Sequence, residues 1–583
     1  DDPQLRQDVV QAHLRMGRVL DEIGSRDEAK QAFEQARELA EQTARTAPAN
    51  REKARDLAEA TWLVAAQEGM SGKISEGSAK LHQARVSLES LLEGDPTDQA
   101  TAQLLAKVLH DLGELENVAG RPEQAIGWLR LAYERSPGDS LNEARCRLGI
   151  ARAFSYMARN AEALAEAEAA RDRLTKMAHD AARQSIADFE RARIETMIGQ
   201  LHVRLRNLPA AAAAHAQARA MLEPMARDNP AAMDIQHEYA ATFGNVGMVA
   251  LAQNKPDEAR LAFRDAARRY DALRLAGTAG GAVIEAWVIC QLHLGAAEIA
   301  VGDSAAARES WRRVTAEEQE IRQAFPDNLD LANEIVRVWF ALGMRELADG
   351  NPTEALAACD RGIAVARDLC RRSPRGPFHA QNLGAALHRR GAALLALGKL
   401  PEAEAAFSES IKVTDDLLSW NEKHPAAPGN LVSALAGRAE VYTRTDRHAE
   451  ALADFERLLP LAKGPEQDEA ALLRAAALAR LGRYHEAADE AERIAPSIGG
   501  NAMRLYDVAR VVALCAASTD KAASDAAAGR AIDLIRQAAE AGYSDLENIK
   551  TDPDLNALRE LPEFKQLIAA LENARSENGR KKD

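Results

Sequence analysis

Small and large apolar residues recur along this chain at helical spacings, with turn residues set between them. The stretch Arg390 to Ile411 shows the pattern: Gly391 is followed by Gly398 and Pro401, then by Ala403, Phe407 and Ser410. Gly398 can adopt the left-handed φ that closes a helix, and Pro401 suits the first turn of the next one, where no N–H partner is lost. Ala403, Phe407 and Ser410 are four and three residues apart, so they share one face of the second helix. Gly391 allows the first helix to approach that face closely. The segment therefore predicts a helical hairpin.

The hairpin recurs in register. With Gly391 as reference, equivalents fall at Gly17, Ala65, Gly113, Ala151, Gly199, Gly247, Gly295, Gly343, Ala439 and Ala475. The steps are 48 residues, except 38 from Gly113 to Ala151 and 36 from Ala439 to Ala475. Twelve residues after each reference stands an alanine, with Gly77 the one exception. Sixteen after it a larger residue is usual, at Phe33, Leu81, Leu129, Phe263, Trp311, Phe407 and Phe455; Ala167, His215, Cys359 and Ala491 break that rule. Small residues return three positions later, and Pro48, Pro96, Pro230, Pro326 and Pro374 each stand 31 residues after a reference. Small groups opposite bulky ones are what close-packed helices require, and a fixed period of such hairpins predicts a solenoid.

This order of small, turn, alanine, aromatic, small and proline resembles the tetratricopeptide (TPR) repeat family over nearly the whole chain. The family's usual unit is about 34 residues, so 48-residue units predict longer helices, of about 20 residues and near 30 Å. The expected fold is all-α: a right-handed superhelical TPR-like solenoid of about eleven helical hairpins with a C-terminal helical cap. Residues 1–140 would hold units 1–3, residues 141–465 units 4–10 in 48-residue register, and residues 466–540 shortened and degenerate units. A helical cap over 541–573 and a disordered tail over 574–583 complete the expectation. The loosest turn, Gly69 to Ala79, is a candidate for local mobility.

The end of the chain narrows the resemblance. The run from Tyr543 through Thr551-Asp552-Pro553-Asp554 to Pro562-Glu563-Phe564, after long TPR-like units, is similar to the C-terminal ends of large bacterial serine/threonine protein kinases. That resemblance implies a cytoplasmic partner-recruiting or sensory region whose kinase domain would lie N-terminal to Asp1. The alternatives are a stand-alone scaffold or adaptor, and a regulatory solenoid of another enzyme class.

The chain carries no kinase parts of its own: no GxGxxGxV loop, VAIK lysine, HRD loop or DFG. His237-Glu238 and His485-Glu486 lack a second histidine at zincin spacing, and no GxSxG elbow occurs. Gly277 to Gly281 lacks both a preceding strand and a following GK[ST], so it reads as an inter-repeat loop. No catalytic, metal or cofactor site is expected. Five cysteines without a CxxC pair read as small core groups. A net charge of −15 disfavours nonspecific nucleic-acid binding. The most apolar window, Val283 to Val301, contains Glu285, His293 and Glu298, so it reads as a packed helix rather than a membrane span. Nothing in the pattern sets the oligomeric state.

Surface remains. The TPR resemblance implies that the first helix of each hairpin lines the concave face. Inward positions then carry Arg145, Arg152, Tyr156, Arg193, Gln200 and Arg204 in units four and five. In units six to eight they carry Met248, Leu251, Ile289, Leu292, Ile299, Phe340, Met344 and Leu347, with Arg337. An apolar floor beside an arginine wall would seat a protein or peptide ligand with hydrophobic anchors and acidic flanks. The competing expectation is that the apolar positions are inter-repeat core and the arginines solvated.

Overall fold

The computed structural model describes residues 3–22, 25–176, 181–276, 279–422 and 424–580. Those residues form 26 α-helices and one 3₁₀-helix, with no strand among them. Consecutive helices pair into twelve hairpins. The first eight are Pro3–Glu22 with Arg26–Thr46, Arg51–Met70 with Ile74–Gly94, Gln99–Val118 with Pro122–Glu134, Ser140–Tyr156 with Asn160–Thr175, Ala181–Arg204 with Leu208–Asp228, Met233–Ala252 with Pro256–Leu275, Gly281–Ala300 with Ser304–Ala324, and Leu329–Ala348 with Pro352–Arg372. Pro377–Ala396 with Leu400–Trp420, Ala427–Arg444 with His448–Leu458, Pro465–Arg480 with Tyr484–Ile498, and Ala502–Cys515 with Lys521–Glu540 complete the series.

Every reference residue lies in a first helix and the residue sixteen positions later in the second, and where the reference is glycine the two meet directly. A Cβ added to Gly17 would fall 2.5 Å from the Phe33 ring, one on Gly391 2.6 Å from Phe407, and one on Gly247 2.8 Å from Phe263. The small residue is therefore a slot and the aromatic its filling, and the alternation closes the hairpin without a void. His215 and Cys359, which break the sequence pattern, occupy the same slot against Gly199 and Gly343. The slot accepts any group that fits.

Seven residues after the reference, the turn takes positive φ in every hairpin from the second to the eleventh. Gly398 does so at 71°, as its sequence predicts, but Ala158, Arg206, Asn254 and Asp446 do so without being glycine. In Arg206-Asn207-Leu208-Pro209 the asparagine is the expected left-handed residue; instead Arg206 adopts φ 62° and the Asn207 side chain accepts from the Ala210 N–H at 3.4 Å. Register outranks residue preference here, and Asn207 caps the next helix instead.

Packing divides the chain into two compact units, Asp1–Asn382 and Leu383–Asp583. In the first, most helices run 20 or 21 residues. Pro122–Glu134 has only 13, which accounts for the 38-residue step. The helix Gly281–Ala300 is long and apolar enough to cross a membrane by length and composition, yet it packs between Pro256–Leu275 and Ser304–Ala324 with Trp287 and Val288 fully buried. Of the glycine run 277–281, residues 277 and 278 lie outside the described residues, and the helix begins at Gly281.

The first unit also touches itself far along the chain. The Ser75 N–H donates to Asp327 Oδ2 at 3.1 Å, and Asp327 Oδ1 receives Arg372 Nη2 at 2.8 Å. Gly72 lies against the Phe325 ring, Gly120 against Leu329 and His379, and Ser373 Oγ donates to the Gly120 carbonyl at 3.2 Å. The turns of the second and third hairpins thus meet the loops at 325–329 and 373–379.

In the second unit the hairpins shorten, with 11 residues in His448–Leu458, and the end is a lid of Leu546–Thr551, the 3₁₀-helix Pro553–Leu558 and Pro562–Arg580. Buried Asp552 accepts from Tyr506 Oη at 2.9 Å, and buried Asp554 binds Arg480 and Arg510 at 2.7 and 2.8 Å. The Tyr506 ring stacks on Tyr543, centroids 4.3 Å apart. The final helix reaches Arg580, into the segment whose polarity predicts disorder; residues 581–583 lie outside the described residues.

Candidate functional site

The positions expected to face inward in the first unit stand on first helices, and a 48-residue period places equivalent helical turns of neighbours side by side. Arg145, six residues before its reference, donates Nε to Glu190 Oε1 at 2.7 Å, and Glu190 stands nine residues before the next reference. Arg193 repeats the move: Nε reaches Glu238 at 3.2 Å while Nη1 holds Glu190 at 3.0 Å. Gln11 and Asp56 occupy the same two positions in the first hairpins, at 2.9 Å. Gln200 Nε2 donates to Asn245 at 3.4 Å over the same interval. These rungs form a polar ladder that ties the first hairpin to the second, the fourth to the fifth and the fifth to the sixth.

The electrostatics follow from the pairing. Burial alone would raise the Glu190 carboxyl, but Arg193 and Arg145 outweigh it and hold the group below its ordinary value. Burial likewise opposes charge on Arg193, and Glu190 and Glu238 overcome it, so its guanidinium is held more firmly charged than usual. The remaining arginines are also partnered: Arg152 with Glu114, Arg204 with the Ser155 hydroxyl and carbonyl, and Arg337 with Glu334 at 2.5 Å. The expected arginine wall is therefore not a bare positive surface. Each guanidinium already has a protein acceptor, and attraction for acidic flanks is correspondingly reduced.

Three carboxylates that the sequence reading did not select complete this face. Tyr156 turns toward Asp330, and Glu285 and Glu334 lie beside it. Burial, then repulsion from Glu334, pushes the Glu285 carboxyl up to about 7, and burial followed by Glu285 raises Asp330. Glutamate nine residues before the reference recurs at Glu190, Glu238 and Glu334. That recurrence was the available signal for the ladder.

The apolar positions divide. Leu292 and Phe340 are core: Leu292 offers its carbonyl to Trp311 Nε1 at 3.1 Å, and the Phe340 ring packs on Gly362. Met248, Leu251, Ile289, Ile299 and Leu347 are half-buried, and Met344 is 50% exposed. Met344 lies on the helical face of Asp330, Glu334 and Arg337, at intervals of four, three and seven residues. The ladder is interrupted at this stretch, because Ala241 and Ile289 stand where the neighbours carry arginine.

Elsewhere the chemistry is closed. A groove of about 490 Å³ between Ser304–Ala324 and Pro352–Arg372 holds one buried charge, Glu318, already bound by Arg322, Arg361 and Trp339. Among the described residues no group of histidine, cysteine and carboxylate side chains is arranged to hold a metal. Burial pushes the thiols of Cys146, Cys370 and Cys515 up to about 12, 11 and 11.

A profile of the tetratricopeptide repeat matches residues 10–43. No curated protein sequence matches the chain. Among solved structures, the chain is similar to a Rap protein complexed with competence and sporulation factor, at 14% identity over 70% of this chain and 98% of that one, TM-score 0.43. Yeast Tom70 aligns at 14% identity over 98% and 97%, TM-score 0.29, and Cut9 of the APC/C Cut9–Hcn1 complex at 13% over 94% and 95%, TM-score 0.34. With its repeated hairpins and this repeat at its start, the chain has the fold of an all-α, TPR-like solenoid.

Proposed function

We propose that the chain is a protein–protein interaction scaffold that takes a peptide segment of its partner against the inner face of the first unit. The observation that carries this reading is the interruption of the ladder. Around Met248, Leu251 and Met344 the inner positions turn apolar, and Met344 stands 50% exposed rather than sealed into core. Exposed apolar side chains on a framed surface are what a peptide's hydrophobic anchors fill. The neighbouring arginines, fixed by Glu190 and Glu238, supply a rigid polar edge.

A peptide selected from a displayed random library against the whole chain tests this. Met344→Glu should weaken its binding at least about tenfold, roughly 1.4 kcal/mol, and Arg193→Glu combined with Arg204→Glu should weaken it with helicity intact. Unchanged affinity in both variants counts against the inner face as the site.

The attached activity is read from the terminal segment. Its likeness to the ends of bacterial serine/threonine kinases supports a recruiting or sensory role for a kinase on the same polypeptide, in the cytoplasm. The gene sequence upstream of the codon for Asp1 decides: HRD and DFG motifs in frame support the kinase, and a different catalytic domain or an initiation codon there removes it.

A further inference from the structure

Asp327 performs a task usually done within one helix. The helix Ile74–Gly94 begins after Lys73, whose side chain makes no cap hydrogen bond, so its first N–H groups need an acceptor from elsewhere. Asp327, 252 residues away, supplies it to Ser75. A carboxylate at a helix N-terminus is favoured by the exposed N–H groups and by the helix dipole. Around this point the Phe325 ring on Gly72, Leu329 and His379 on Gly120, and Tyr156 toward Asp330 continue the same line of contact. The line is thin. Hairpins are joined to their neighbours by continuous apolar cores, such as that around Trp287, Val288 and Ile335, whereas this seam has a few polar bonds and single apolar contacts. Contacts of that kind separate first, because opening free energy follows buried apolar area.

We propose that the first unit is a coil closed by a releasable seam between the turns at 72–75 and 120 and the loops at 325–330 and 373–379, and that this seam parts while the hairpin cores remain folded. Parting the seam widens the inner face. The widening matters for recruitment only if the reading of that face as a peptide site holds; the motion itself does not depend on it.

The distance between spin labels on Glu76→Cys and Gln323→Cys, both exposed, measures the seam in the whole chain with Cys370→Ser. Two populations are expected, and Ser75→Pro should enlarge the long one several-fold. That variant removes the donated N–H at a first-turn position where proline is tolerated, and it leaves the Asp327–Arg372 pair in place. Phe325→Ala should act in the same direction. Amides of residues 72–76 should exchange at least about tenfold faster than those of the hairpin cores. A single short distance unmoved by either variant would mean a permanent seam, and a single long distance in the parent chain would mean no seam; each overturns the proposal. A disulfide from Ser75→Cys with Asp327→Cys adds the functional arm, since a selected peptide should bind the reduced form at least about tenfold better. Equal binding in both forms overturns the link to recruitment, and binding in neither overturns the peptide reading while the distances still decide the motion.

Discussion

Two arginine series, one in each unit, find their carboxylates at different ranges. In the first, charged side chains reach the neighbouring hairpin: Arg145 to Glu190 and Arg193 to Glu238 are each 45 residues apart. In the second, Arg438 grips Asp454 in two bonds of 2.8 and 2.7 Å, and Arg474 holds Glu490 at 2.8 Å, each across 16 residues within its own hairpin. The difference follows the position counted from the reference. A constant 48-residue step keeps equivalent positions of successive first helices level, so a partner three residues earlier in the next unit is always in reach. One residue before the reference the side chain instead faces its own second helix, so Arg438 and Arg474 pair within their hairpins. Both ranges occur in both units, since Arg147 holds Glu166 across 19 residues in the first and Arg447 reaches Glu404 across 43 in the second.

Six substitutions test this contrast. Phe407→Ala in the second unit empties the slot between Gly391 and Gly437 and should cost about 3–5 kcal/mol by denaturant unfolding. A cost below about 1 kcal/mol would mean the slot collapses and does not define the hairpin. Glu190→Ala takes its carboxylate from Arg145 and leaves Arg193 with Glu238 alone, and should cost about 2 kcal/mol, less than a fully buried pair because Arg145 and Arg193 are 38% and 30% exposed. Hydrogen exchange should then rise in two hairpins, whereas Asp454→Ala should raise it in one. Matching exchange patterns would erase the distinction between the two series.

His215→Phe compares the two slots directly. His215 fills its slot with both ring nitrogens buried and unpartnered, and burial lowers its basicity from 6.5 to about 4. Because the folded value lies below the unfolded one, the neutral ring's full stability is present above about pH 6.5 and is lost as pH falls toward 4. The phenylalanine should gain about 1–2 kcal/mol at pH 7.5, and its advantage should widen by about 2 kcal/mol by pH 4.5; a pH-independent difference would refute the titration. Smallest is Arg206→Gly, which relieves a left-handed arginine and should add about 1 kcal/mol. The same change at Gln200, a right-handed helical position nearby, should destabilise instead.

Much of the fold was legible because the alanines and glycines repeat at one interval, and sterics leave few ways to satisfy a small residue facing a bulky one. The slot pairs, the hairpin boundaries and the proline starts follow from that. The candidate site was legible only in part. Counting from the reference selected Arg145, Arg193 and the exposed Met344, but also Leu292 and Phe340, which the structure buries as core. Longer helices bury more of their own length, so a projection suited to shorter units overshoots.

The sequence by itself determined the hairpins and their order, since helix periodicity and turn chemistry act within about 40 residues. Only the tertiary structure decided which arginines were already neutralised, and that Asp327 would cap a helix 252 residues away. Such pairings depend on how small rotations between successive hairpins accumulate, and that sum is written in no single repeat.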